Sequence, residues 1–139
     1  MVIMRNKWSS SDSSAILAVA KGSFFSDQLT DRALKAARNS QSILVALNVC
    51  SDEGFPPGVE RERSRRNLRT DCNWNILSMR KAATLLGVRM DHLILFGSAL
   101  DCIETVHGKY PRLKCVLAEP VVGSGAGKYP TEVGLPLQT

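Results

Sequence analysis

Apolar residues in this chain concentrate in short runs, separated by stretches in which they recur at helical spacing. Residues 15–20 read AILAVA, residues 43–49 ILVALNV, residues 90–96 MDHLILF and residues 113–118 LKCVLA. Runs of this length fit strands covered on both faces, as in a parallel sheet. The first run stops at Lys21, Gly22 and Ser23, where glycine permits a sharp turn. A helix is predicted from Ser26 or Asp27 to Arg38. Ser26 is suited to cap it, Asp27 favours the positive end of the helix dipole, and Leu29, Ala33, Ala36 and Ala37 share one face. After the second run, residues 54–58 (GFPPG) cannot continue any regular element, and an irregular charged stretch is expected to about Thr70. A second helix is predicted over residues 73–86. Ile76, Leu77, Met79, Ala83 and Leu86 face inward, and Gly87 closes it as a left-handed cap. Gly97 and Ser98 turn the third run into a third helix, with Ala99, Leu100, Ile103 and Val106 on its apolar face and Gly108 and Pro111 at its end.

Strands alternating with helices argue for right-handed crossovers and a mostly parallel sheet. The expected fold is α/β, a Rossmann-like three-layer sandwich of four recognisable strands, with the strand at residues 15–20 near the centre of the sheet. A chain of 139 residues fits one such domain. Residues 14–120 are assigned to it. Residues 1–13, ending in a serine-rich stretch, read as a flexible leader. Residues 121–139, dense in glycine and proline, read as an irregular tail with an atypical C-terminus.

Composition narrows the class. Hydrophobic residues make up 44% and charged residues 22%, a globular balance rather than a disordered one. No apolar run reaches the ~20 residues of a membrane helix, so no membrane insertion is expected, and the default location is cytoplasmic. The formal net charge is +5, and residues 60–69 alone hold five arginines. Two glutamates interleave with them and no aromatic residue offers a base a stacking surface, so a solvated connecting loop or helix is expected there rather than a specific nucleic-acid site, with an anion or partner contact as the alternative. Cys50, Cys72, Cys102 and Cys115 form no C-x-x-C pair. They are expected as reduced thiols in or near the core, with no metal site assigned and a disulfide or metal role as the alternative.

Catalytic chemistry is thin. Asp91 and His92 are neighbours on a strand and so point to opposite faces. His107 lies late in a helix, where a cation is merely favourable. Ser23 lacks the G-x-S-x-G setting of a nucleophile elbow. Residues 123–128 (GSGAGK) form a glycine loop whose amides could cradle a phosphate, with Lys128 adding charge. This is not a Walker A sequence: Val122 stands where the first glycine belongs and Tyr129 replaces the magnesium-binding hydroxyl.

The order and lengths of these elements resemble the universal stress protein family. The alanine-rich helix around Ala33, Ala36 and Ala37, the long connection at residues 51–70, the turn Leu86, Gly87, Val88, and the small and acidic residues Gly97, Ser98, Ala99 and Asp101 carry the resemblance. It covers residues 14–118. In the family's ATP-binding members an aspartate ends the first strand, and a spaced glycine signature follows the fourth. Here Lys21 stands in the aspartate's place, and Ala118 and Val121 stand in the first two glycine places.

The resemblance therefore implies a non-catalytic stress-response or regulatory protein. It would act through dimerisation and carry a lost or weakened adenine-nucleotide site. The degenerate site would comprise Ala20, Lys21, Gly22, Ser23, Ala118, Gly123, Ser124, Gly125, Gly127 and Lys128. No cofactor is expected beyond a weakly held adenine nucleotide or phosphate. A homodimer is the expected assembly, with a protein partner or parent transporter domain as further partner classes. Two alternatives stand beside this reading. One is a cytosolic regulatory domain cut from a larger transporter or sensor. The other is an enzyme acting on a nucleotide or phosphorylated metabolite, since α/β sheets host many chemistries.

Overall fold

The computed structural model describes residues 13–119. The element order is β1 (Ala15–Lys21), α1 (Asp27–Ser40), β2 (Ile43–Cys50), α2 (Val59–Asn75), α3 (Leu77–Leu86), β3 (Met90–Phe96), α4 (Ala99–Lys109) and β4 (Leu113–Ala118). The strands form one all-parallel sheet in the order β3-β2-β1-β4. The fold class expected from the sequence is thus present, with β1 as an inner strand. Apart from Ser13, which is buried, the leader and the tail lie outside the described residues.

Alternation along the strands divides the core in two. Ile16, Ala18 and Ala20 of β1 and Leu44 and Ala46 of β2 pack with Leu29, Ala33, Leu34 and Ala37 of α1 and with Met79 and Ala83 of α3. Leu17 and Val19, with Val45 and Leu47, pack on the opposite face with Cys102 and Val106 of α4 and with Tyr110. Both faces of the inner strands are covered, which is why β1 and β2 read as continuous apolar runs rather than as alternations. Helix α1 starts where expected. The Ser26 hydroxyl accepts a hydrogen bond from the Leu29 amide at 3.1 Å. Gly87 caps α3 in the left-handed conformation at φ 72°, where a side chain would be strained.

The structure corrects the reading between the second and third strands. The charged stretch is irregular only to Gly58, and Val59–Asn75 is a 17-residue helix. Residues 59–86 contain no proline or glycine, and arginine, glutamate and leucine are good helix formers. Glu60 and Glu62 sit in the first turn, where the dipole favours them. The apolar pattern gave no sign of this helix because Cys72 is its one buried residue. Ile76 then drops into the core at the junction with α3. Leu77 and Leu86, expected inward, are exposed, as is Leu100 on α4, where Cys102 supplies the buried contact instead.

Candidate functional site

The carboxyl ends of β1 and β4 mark the point at which the chain's crossovers change direction, since β1 leads through α1 to β2 on one side while β4 lies on the other. In open α/β sheets the crevice at such a switch point is the usual ligand site. The paired register of β1 and β4 ends at Val19 opposite Ala118. Beyond it Lys21 is exposed, and Gly22 turns the chain at φ 93°. The structure therefore brings together Lys21, Gly22, Ser23 and Ala118 of the expected site. Ala20 is adjacent but wholly buried in the core under α1. Gly123, Ser124, Gly125, Gly127 and Lys128 lie outside the described residues.

Two asparagines, neither singled out from the sequence, fix the turn. Asn48 of β2 is fully buried, and its Nδ2 donates to the Gly22 carbonyl at 2.8 Å. Asn75, the last residue of α2, donates through Nδ2 to the Ser23 carbonyl at 3.0 Å and lies 3.3 Å from the Ser23 hydroxyl. Because Asn48 gives its amide nitrogen to a carbonyl, its Oδ1 faces His92 Nε2 at 2.6 Å as an acceptor. His92 must then carry its proton on Nε2. Burial, with a smaller contribution from the Arg80 charge, lowers the His92 pKa from 6.5 to about 4, so the ring is neutral. A polar residue inside an apolar strand run was the available signal for Asn48. Nothing in the sequence marked Asn75, because its partner lies 52 positions away.

Glu119 follows β4 directly. Its Oε2 accepts a hydrogen bond from the Ser26 backbone N–H at 2.8 Å, seating a carboxylate of the chain itself at the start of α1. An anion is favoured at a helix N-terminus, and here the protein supplies it.

The remaining polar groups have structural partners. As expected, Asp91 and His92 point to opposite faces: the Tyr110 hydroxyl donates to Asp91 Oδ2 at 2.6 Å on the α4 side, whereas His92 meets Asn48 on the other. Burial, reinforced by that hydrogen bond, raises the Tyr110 pKa. On α2, Arg65 Nε donates to Asp52 Oδ2 at 2.6 Å, with Arg61 Nε 3.6 Å from the same oxygen. The hydrogen bond from Arg65 holds the Asp52 carboxyl below its ordinary range. The guanidinium groups of Arg65 and Arg69 lie 5.0 and 5.1 Å from the centre of the Phe96 ring. Part of the basic segment is thus spent on contacts within the chain. Cys50, Cys72 and Cys102 are buried and Cys115 is half-buried. Among the described residues, no three His, Cys, Asp or Glu side chains converge as a metal site requires. A depression of about 510 Å³ lies at the opposite end of the sheet, between Ser14, Arg38, Gln41, Ser42 and Gly87. It lies at the amino ends of the strands rather than at their carboxyl ends, so the crevice is the better candidate.

Among solved structures, the chain is similar to a protein of the universal stress protein family from Burkholderia pseudomallei. The TM-score is 0.60 at 15% identity, over 90% of this chain and 89% of that one. The fold is that of the universal stress proteins. Universal stress protein UspA from Lactobacillus plantarum gives a TM-score of 0.58 at 16% identity, over 79% of each chain. No protein-family model matches the sequence, and no curated protein does. Likeness of this kind establishes the universal stress protein fold, and the site must be argued from its own residues. Among the described residues, no helix is long and apolar enough to cross a membrane.

Proposed function

We propose that this chain is a non-catalytic regulatory protein of the universal stress type, working as a homodimer in the cytoplasm, in which the adenine-nucleotide crevice no longer holds ATP tightly. The observation that carries the reading is the charge arrangement at the crevice. Lys21 ends β1 with an ammonium, which has no acceptor to offer a nucleoside. The carboxylate of Glu119 already occupies the Ser26 amide at 2.8 Å, so an incoming phosphate meets a seated negative charge. Ala118 adds a Cβ where the family brings bare backbone to the phosphates. Losing two charge-assisted hydrogen bonds, at about 1.5–3 kcal/mol each, weakens binding roughly 10²- to 10⁴-fold.

The polar groups at the crevice favour a binding role over catalysis. The Ser23 hydroxyl faces Asn75 rather than a base, and His92 Nε2 is committed to Asn48. Neither arrangement activates a nucleophile. Calorimetry with ATP and magnesium tests the proposal, and the expected result is no binding in the low-micromolar range. A micromolar isotherm that disappears in Gly125→Val would give the phosphate role to residues 123–128 and overturn the reading. A micromolar isotherm indifferent to that substitution would overturn it as well, by showing that the crevice itself retains the nucleotide.

A further inference from the structure

Cys50 closes β2 and Cys72 lies near the end of α2, 22 positions later. Their Sγ atoms are 3.8 Å apart, and the two residues are 2% and 0% exposed. A disulfide places its sulfurs about 2.05 Å apart, so a shift of under ~2 Å would bring the thiols to bonding distance. The element that must shift is α2, which buries only Cys72 among its own residues. The other two thiols are placed differently: Cys102 packs under α4 on the opposite face of the sheet and Cys115 lies within β4.

We propose that Cys50 and Cys72 form a redox modification site, closing a reversible intramolecular disulfide when a hydroperoxide supplies the oxidising equivalents. Cys50 attacks first. Its thiolate takes one peroxide oxygen as the O–O bond breaks, giving a sulfenic acid and, for hydrogen peroxide, water. Cys72 then attacks that sulfur and releases the oxygen as a second water. Two protons and two electrons leave the protein, and the peroxide takes up both. The same bond results whichever thiol attacks first, and the surroundings favour this order. Burial raises the Cys50 thiol, but its contact with Cys72 and the charge of Arg69 draw it back. Burial and the neighbouring Cys50 push Cys72 up to about 12. Burial of both sulfurs makes the reaction wait on an opening of α2.

The bond would reach the crevice. Asn75, which holds the Ser23 carbonyl and hydroxyl, lies three residues after Cys72 on the same helix. Tying Cys72 to β2 therefore fixes the helix end that grips the turn. This inference does not depend on the nucleotide reading above.

The experiment treats the full chain with hydrogen peroxide under native conditions, alkylates residual thiols and digests with trypsin without reductant. The expected result is a loss of two hydrogens from the intact mass. Tryptic peptides 39–61 and 70–80 should appear as one cross-linked species, absent after dithiothreitol. The thermal midpoint should rise on oxidation by on the order of 5–10 °C, as closure of a loop of this length implies. Cys102→Ala should behave as wild type, and Cys50→Ala should lose both the link and the shift. Should Cys50→Ala not fold, the wild-type peptide map decides alone. Links through Cys102 or Cys115, links only between two chains, or oxygen uptake without a link would each overturn the proposal.

Discussion

His92 sits half-buried on β3 with its proton directed at Asn48, and Asn48 in turn holds the Gly22 carbonyl. The pair joins β3 to the turn of the crevice. In the fold the ring stays neutral down to about pH 4, whereas in the unfolded chain it takes up a proton near pH 6.5. Between those values the unfolded state binds more protons, so stability falls as pH is lowered through the window and is fully present above it. The contribution is about 1–3 kcal/mol. Urea midpoints measured at about pH 7 and about pH 4.5 should therefore separate more in wild type than in His92→Gln, which keeps a donor toward Asn48 without titrating there. Equal separations would mean that the imidazole is solvated in the fold.

Element by element, the sequence was read most accurately where one face is buried. The strand limits agree to within a residue, and Leu29, Ala33 and Ala37 lie on the buried face of α1, because burial imposes the periodicity being read. Helix α2 went unread for the opposite reason. A helix held by one buried cysteine, an Asn75 contact and arginines over Phe96 leaves no apolar period behind. The site divided in the same way. Lys21 and Ala118 end strands and Gly22 and Ser23 follow Lys21, so the strand pattern alone puts them at one end of the sheet, but Asn75 and Glu119 act across 52 and 93 positions, which no local pattern reports. The sparse anchoring of α2 has a dynamic consequence. Few buried apolar contacts mean a low free energy of local opening. Hydrogen exchange should therefore show the amides of α2 exchanging roughly 100-fold faster than those of α1, whose Leu29, Ala33, Leu34 and Ala37 are locked in the core. Equal protection would show that α2 opens only with the whole domain.

For the molecule as a whole, the sheet ends in two strands that each have a single neighbour among the described residues, β3 beside β2 and β4 beside β1. An unpaired strand edge presents a row of backbone donors and acceptors that another chain can complete. On β3 that row accompanies Leu93, Ile94, Leu95 and Phe96, all half-exposed. Soluble oligomers most often close as two-fold dimers, so self-association through an edge is the simplest way to cover one. Light scattering at high protein concentration should accordingly give twice the chain mass of 15.2 kDa. The edge involved can be read from hydrogen exchange. In a parallel edge strand, alternate amides point to the neighbour and the others point outward. If β3 carries the interface, its outward amides should be protected at high concentration and released on dilution, while those of β4 do not change with concentration. The converse pattern would place the interface at β4. A mass of one chain at every concentration would remove the dimer from the proposed function.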